Sequence, residues 1–427
     1  MRGRATLLFY CQHSLGMGHL VRSLALVGGL RERFRVVLLN GGRLPKKLAV
    51  PAGVEVVNLP PLGLAADGRL VSRDRRRTVE RASALRRRII METYRALRPR
   101  VVFIELFPFG RKKFAGELLP LLEAVRDENA PRPLVCCSLR DILVGGKSNQ
   151  RQHDARAAEN ANKYFDAVLV HSDPTFARLE ESLGSFGALR TSVHYTGFVL
   201  PAHEPGGGDP DRNGSGQNMP GRGVSKRKGA ALRPRQILVS AGGGLVGEPL
   251  FRAAVEAYRV LRRTEDVGMK IVAGPFLPEA AWRSLREAAR SLPGLSVKRF
   301  VPELCAEMRR SAATVSQCGY NTALDILRAR VPALVVPFAE GGEDEQLNRA
   351  RRLERLDALR VLEQHELGAE RFAEELEGLL KFQPGTLGLD LRGVGNTARI
   401  VERLMRARHA KVSAPAASRR DAREVRP

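Results

Sequence analysis

The run Ser316-Gln-Cys-Gly-Tyr-Asn-Thr-Ala-Leu-Asp325 sets a glycine, small polar side chains and an acid between an apolar stretch and a helical pattern. Gly319 lets backbone approach a ligand closely. A helix opening at Tyr320 aims its unpaired N–H groups and the positive end of its dipole over that turn, an arrangement that favours phosphate. Asn321 and Thr322 stand in its first turn. Asp325 falls roughly one to one and a half turns inside and reaches a sugar hydroxyl beside the phosphate. A second apolar run, Pro332-Ala-Leu-Val-Val-Pro337, then leads to Glu345-Gln-Leu-Asn-Arg-Ala350, where Glu345 and Gln346 are placed to hold a second sugar. An ordinary βαβ unit with a capped helix explains the Gly-Asn-Thr piece equally well. The order of all three pieces favours a nucleotide-sugar site.

A second constellation lies near the start, in Cys11-Gln-His-Ser-Leu-Gly-Met-Gly-His-Leu-Val-Arg22. Gly16 and Gly18 permit a tight turn into a helix, and His19 stands at its first turn. A histidine that titrates near neutrality can take a proton from an attacking hydroxyl. The alternative is that His19 only orients the loop. His13 either contacts ligand or fills the loop. Arg22, one turn on, either reaches an anionic group or lies on a solvated face. A third glycine turn, Gly242, Gly243 and Gly244, follows the apolar run at 236–240 and suits a loop passing under a diphosphate.

Three other matches are discounted. Gly145-Gly-Lys-Ser148 has Asp141 where a P-loop needs its first glycine. Asp209-Pro-Asp211 resembles a metal-binding acidic pair but lies in a stretch with nothing to hold a metal. Gly16-Met-Gly18 lacks the later glycine of a dinucleotide fingerprint.

These turns need strands and helices to aim them. In the first half, short Val/Ile/Leu-rich runs at 6–10, 35–39, 54–59, 101–106, 134–137 and 167–171 alternate with helical patterns at 19–31, 73–97, 113–127, 151–163 and 174–182. Residues 191–197 close this half. In the second, strands are expected at 236–240, 269–273, 296–300, 313–316 and 333–337. Helices are expected at 247–263, 278–291, 302–310, 320–329, 343–356, 367–380 and 394–408. Such alternation implies parallel sheets covered on both faces. The expected units are 1–200, an acceptor half, and 235–408, a donor half. Between them 201–234, rich in Gly and Pro, reads as a flexible linker, and 409–427 as a disordered basic tail. Ligands of open α/β sheets sit beyond the carboxyl ends of the strands, so all three glycine turns face the cleft between the halves.

Composition narrows the classes. A chain of 427 residues is too long for one ordinary core. Its 71 Lys+Arg against 46 Asp+Glu leave a net +25, which fits nucleic acid, an anionic membrane, an anionic substrate or plain codon bias. Aromatic residues are only 5% and no reader module is present, so nucleic acid is disfavoured. Arg73, Arg75, Arg76, Arg77, Arg81, Arg86, Arg87 and Arg88 fall on one expected helix, either a solvated face or a surface resting on anionic lipid. Five cysteines without a C-x-x-C pair argue against a disulfide framework or structural zinc and for a reducing cytoplasm. No apolar run reaches about 18 residues, so no spanning helix is expected. The N-terminal apolar run ends too early for a signal peptide and reads as a first buried strand.

With these residues in place, the chain resembles a GT-B glycosyltransferase of family 28, the group that includes the enzyme adding N-acetylglucosamine to lipid-linked muramyl peptide. The likeness covers nearly everything outside 201–234 and the tail. It is strongest at Gly319, Thr322, Asp325, Pro332, Pro337, Gln346, Arg349 and Ala350, with Gly16, Gly18 and His19 resembling the acceptor loop. The resemblance implies two Rossmann-like domains facing across an interdomain cleft. It implies a nucleoside-diphosphate-sugar donor, UDP-linked, and an unidentified acceptor, lipid-linked or a cell-envelope glycan precursor. Gly242, Gly243, Gly244, Ser316, Gly319, Asn321 and Thr322 would face the diphosphate and Asp325 the ribose. Backbone at Phe300 and Val301 would read the base, and Glu345 and Gln346 would hold the hexose. His19 would be the base, with His13, Gly16, Gly18 and Arg22 in the acceptor loop. No cofactor or metal is implied, and the location would be cytoplasmic, at the inner membrane face. Two residues depart from the pattern: Asp325 stands for the usual Glu, and Arg349 for Asn. The loop Gly-Met-Gly-His-Leu-Val-Arg also resembles a nucleotide-sugar hydrolase of flagellin-sugar synthesis, so hydrolysis with His19 activating water is a rival. A non-catalytic, membrane-docked protein of the same fold is another.

Overall fold

The computed structural model describes residues 4–13, 18–45, 48–65, 68–126, 132–145, 149–200, 235–339 and 344–413, with side chains to 408. The expected linker 201–234, Gly16, and most of the expected tail lie outside the described residues.

The first sheet is built from β1 (Thr6–Cys11), β2 (Arg35–Asn40) and β3 (Glu55–Asn58). A small hairpin follows, β4 (Leu62–Leu64) with β5 (Leu70–Ser72), and then β6 (Val101–Glu105), β7 (Leu134–Arg140), β8 (Ala167–His171) and β9 (Ser192–Tyr195). Its order is β3-β2-β1-β6-β7-β8-β9, all parallel, with Thr6 opposite Arg35 and Leu7 opposite Val101. Alternate residues of β1 divide between two cores. Leu8 and Tyr10 meet helices α2 (Val79–Leu97), α3 (Ala115–Val125) and the end of α4 (Gln150–Tyr164). Leu7, Phe9 and Cys11 meet α1 (Gly18–Leu30) on the other face. Burial on both faces is why these strands read as continuous apolar runs.

The second sheet follows the same plan. Its strands are β10 (Gln236–Ser240), β11 (Gly268–Val272), β12 (Leu295–Lys298), β13 (Ala313–Ser316), β14 (Ala333–Val335) and β15 (Arg360–Val361), in the order β12-β11-β10-β13-β14-β15. Ile237 and Val239 pack toward α5 (Glu248–Leu261), α6 (Glu279–Ser291) and α10 (Ala369–Leu379). Leu238 packs toward α7 (Leu304–Arg309), α8 (Tyr320–Ala329) and α9 (Glu345–Glu354). That last core also takes in Ile142, Phe176, Ala177 and Phe198 of the first unit, so the halves share buried apolar surface.

Four expectations are corrected. The helix expected from 73 starts at Val79, because Asp74 accepts from the Arg76 N–H and holds a turn, and Thr78 then caps the helix. Only Leu179–Glu181 within 174–182 is helical, and as a single 3-10 turn. The Tyr195 hydroxyl takes the Leu179 N–H, and Asp173 takes that of Thr175, which diverts both from a helical ladder. Arg86 is fully buried rather than on a charged face. Helix α11 (Gly393–Ser413), placed by sequence in the second unit and stopped at 408, packs Ala398 and Val401 into the first unit's core, and its backbone runs on to Ser413.

Candidate active site

Strand β1 delivers the chain to the start of α1, and β6 delivers Glu105 beside it. The His19 Nδ1 lies 2.6 Å from Glu105 Oε1. Glu105 is fully buried and His19 is 18% exposed. Burial raises the Glu105 carboxyl, but His19, Arg22 and Arg111 outweigh it and hold it at about 2, so it is ionised. Nδ1 must then carry the proton, leaving the Nε2 lone pair to act as base. Burial pulls His19 down to about 4 against the pull of Glu105, with Arg111 and Arg22 lowering it further. At neutral pH the imidazole is therefore uncharged and able to accept a proton. Glu105 went unnoticed in the sequence. Its signal was a lone acid ending the apolar run Val-Val-Phe-Ile-Glu105.

The other residues of this loop have different tasks. Arg22 is buried, donates to Glu105 Oε1 and lies 5.4 Å from the Tyr320 ring. It is committed to orienting the dyad rather than to reaching an anion. His13 is buried against Gly42, with Nε2 3.2 Å from Asn40 Oδ1, and burial lowers its pKa. Gly18 sits at the helix start, and its carbonyl accepts from Asn321 Nδ2 at 3.2 Å. The first turns of α1 and α8 therefore touch across the two units.

Helix α8 begins without a side-chain cap at Gly319, which has φ −66°. Chain neighbours aside, a Cβ built there meets nothing of the described residues within 4 Å. The glycine is thus not demanded by its own backbone angle; it keeps open the space over the N–H groups of Tyr320, Asn321 and Thr322. An uncapped helix start facing open space is suited to phosphate oxygens. Ser240 and Ser316 pair across β10 and β13, so the Gly242 turn lies next to this helix start. Gly244 has φ +84°, and a Cβ there would come within 2.1 Å of the Ala273 carbonyl, so this turn does require glycine. Gly242 also has positive φ, and Gly243 packs on Phe276. Ser316 and Thr322 are buried, and the Ser316 hydroxyl makes no hydrogen bond.

Asp325 is pushed up to about 6 by burial, with Glu303 adding and Arg328 opposing. Phe300 and the buried Val301 follow β12 and lead into α7, whose Cys305 is within electrostatic reach of Asp325. Glu345 and Gln346 are more committed than expected. The two Glu345 oxygens accept from Arg140 and Arg349, and these arginines outweigh burial and lower its pKa. Gln346 Oε1 accepts from the N–H groups of Cys318 and Phe338, joining two loops and leaving only its amide N–H groups for a ligand.

Arg349, where the resembled family has Asn, is 1% exposed. It grips Asp141 of the first unit through Nε and Nη2, each at 2.7 Å, and donates to the Cys318 carbonyl at 2.8 Å. Tyr320 crosses the same boundary, donating to the His171 carbonyl and accepting from the Val199 N–H. Removing one partner from such a buried pair costs about 3–5 kcal/mol. The sequence alone could not pair Asp141 with Arg349, 208 residues apart.

Residues 241–385 match the glycosyltransferase family 28 C-terminal domain. The UDP-N-acetylglucosamine–N-acetylmuramyl-(pentapeptide) pyrophosphoryl-undecaprenol N-acetylglucosamine transferase of Alkalilimnicola ehrlichii is 29% identical over 224 residues, 51% of this chain and 59% of that protein. The chain thus spans less than two thirds of that relative's length. Among solved structures, the calicheamicin glycosyltransferase CalG4 superposes with a TM-score of 0.59 at 18% identity, over 97% of this chain and all of that one. The MurG of Acinetobacter baumannii superposes with a TM-score of 0.57 at 14% identity, over 94% of this chain and all of that one. Two Rossmann-like units meeting at their strand ends, together with these likenesses, give the chain the GT-B fold, with a second unit that resembles the glycosyltransferase family 28 C-terminal domain over residues 241–385.

Proposed function

We propose that the protein transfers a hexosyl group from a nucleoside-diphosphate sugar, UDP-linked, to a hydroxyl of an acceptor seated against the first unit. The observation that carries this reading is the Asn321–Gly18 contact, which sets the His19–Glu105 pair beside the open first turn of α8. The diphosphate would lie over Gly319, with Asp325 toward the ribose and the Gly242 turn beneath. His19 Nε2 would take the acceptor proton as the sugar bond breaks, and Glu105 would stabilise the imidazolium that forms. Negative charge growing on the departing diphosphate would meet the helix N–H groups, fixed in place before the reaction begins. The likeness to an enzyme named for a UDP-sugar donor supports this assignment.

Turnover of candidate UDP-sugars with and without acceptor extracts tests it. Sugar should be consumed in proportion to acceptor supplied. Free sugar released at an equal rate without acceptor would mean hydrolysis, and no thermal stabilisation by any nucleoside diphosphate at millimolar concentration would mean no donor site. Among the described residues no helix is long and apolar enough to cross a membrane. Arg75, Arg76, Arg77, Arg81, Arg87 and Arg88 are exposed, and we read them as meeting anionic lipid at the inner membrane face. Flotation with anionic vesicles should carry the protein, and equal flotation after their replacement by Gln would sink that contact.

A further inference from the structure

We propose that Arg140 reads the donor sugar and that this sugar is acidic, a hexuronosyl group whose carboxylate lies against the guanidinium. The inference deepens, and rests on, the reading of the second unit as the donor half. Glu345 and Gln346 open α9 and stand where the hexose is expected. Gln346 Oε1 accepts from the N–H of Cys318, one residue before Gly319, so this corner adjoins the open first turn of α8. Arg140 ends β7 and enters the same corner from the first unit, with Nη2 2.5 Å from Glu345 Oε2. His19 lies within electrostatic reach of Glu345, so the corner also borders the base.

What remains unpaired in this corner decides the ligand. A neutral hexose presents hydroxyls, each of which donates as well as accepts, so a site built for it keeps acceptors free. Here the protein itself takes them up. Glu345 Oε2 meets Arg140 and Oε1 meets Arg349 Nη2, both at 2.5 Å. Gln346 Oε1 already accepts from two backbone N–H groups. The groups left over are donors. They are the amide N–H groups of Gln346 and the Nε of Arg140, which is buried without a hydrogen bond among the described residues. Native chains seldom bury such an N–H unpaired, so a ligand acceptor belongs there. A sugar carboxylate accepts at both oxygens and donates nothing.

The charges favour the same ligand. The Arg140 side chain is only 16% exposed. Burial lowers its pKa, and Arg349 and Arg22 add to that, while Glu345 and Asp141 oppose it. Its counter-ion Glu345 is shared with Arg349, and Arg349 also grips both oxygens of Asp141. Asp344, beside Glu345, accepts from the Gly145 N–H. Arg349 stands where the resembled family has Asn, so the diversion of Glu345 Oε1 is this chain's own departure. A desolvated guanidinium that shares its counter-ion suits a second carboxylate, whose two oxygens match its planar fork. Asn321 Oδ1, buried and unpaired at the first turn of α8, remains as an acceptor for a sugar hydroxyl.

The test is calorimetric titration of the full chain with UDP and with two donor pairs that differ only at C6. These are UDP-glucose against UDP-glucuronic acid, and UDP-galactose against UDP-galacturonic acid. In at least one pair the acid should bind about tenfold tighter or more, by a margin that narrows with added salt. Arg140→Gln should erase the margin, and Arg140→Lys should keep part of it. UDP lacks the hexose, so its affinity in the variants reports whether the rest of the donor site survives. The wild-type comparison decides even without them. No gain from the acid in either pair would overturn the proposal, as would tighter binding of UDP-N-acetylglucosamine than of either acid, or a margin that Arg140→Gln leaves intact. UDP bound with no gain from the acid would remove this inference alone and leave the donor reading standing. No binding of UDP or of any of these sugars would remove both.

Discussion

Helices α1 and α8 occupy equivalent places in two copies of one strand–turn–helix plan, yet their first turns are furnished in opposite ways. At α1 the turn is filled by side chains: His19 and Arg22 both bind Glu105. At α8 the turn has no side-chain cap and only space above Gly319. The first is equipped to move a proton and the second to receive a charged group. One architecture thus has two first turns of opposite kind, and the difference lies in whether the helix start is occupied by the protein or left open.

The largest effect should come from emptying the occupied end. His19→Ala should lower kcat by about 10²–10⁴-fold with little change in donor KM. Near-full turnover would remove His19 from the chemistry. Glu105→Gln should cost less, about 10- to 100-fold, because the imidazole keeps a hydrogen-bond partner but loses the charge behind it. The pH profile sharpens the point. A base at His19 would work unprotonated, and burial holds the group at about 4, so activity should persist below pH 6.5 and fall only as pH approaches that lower value. Glu105 raises the His19 pKa, so Glu105→Gln should move the acid limb further down. A wild-type limb near 6.5 would contradict this arrangement.

Filling the open end should give a smaller and separable change. Gly319→Ala puts a methyl where, chain neighbours aside, no atom of the described residues lies within 4 Å, and at an ordinary φ. Thermal stability should hold while donor KM rises about tenfold. Gly244→Ala is the control, with φ +84° and a carbonyl 2.1 Å from the new carbon. It should lower stability by about 1–2 kcal/mol or more, readable in a melting curve. If Gly319→Ala lost stability as Gly244→Ala does, the space above α8 would be structural rather than reserved.

The alternating apolar runs made both sheets legible, since parallel strands buried on two faces leave a strong local signal. The runs at 167–171, 236–240 and 313–316 became strands with those bounds. The β4–β5 hairpin and two-residue β15 escaped because so few residues carry no period. The turns at His19 and Gly319 were legible because each lies within one stretch that ends a strand and opens a helix. The site was not legible where a charge is cancelled from afar. Arg86 read as part of a surface run, but it is buried and bonded to Glu117, Gln12 and the carbonyls of Gly41 and Pro60. Glu345 read as a sugar ligand until Arg140 and Arg349 were placed beside it. The Arg86 contacts and the Arg140–Glu345 pair depend on long-range pairing that neighbouring letters do not show, whereas Arg349 stands only four residues from Glu345.

Helix α11 carries a consequence for how the chain comes to be built. Its Ala398 and Val401 complete a core whose other members begin at Leu7. The second unit's separate core closes within Ile237 to Leu379. During synthesis, chains generally fold from the N-terminal end. Here the earlier half emerges from the ribosome with the part of one sheet face beyond α1 still uncovered, and the later half can finish first. That remaining part of the first core must wait, exposed, until Ala398 and Val401 have been made.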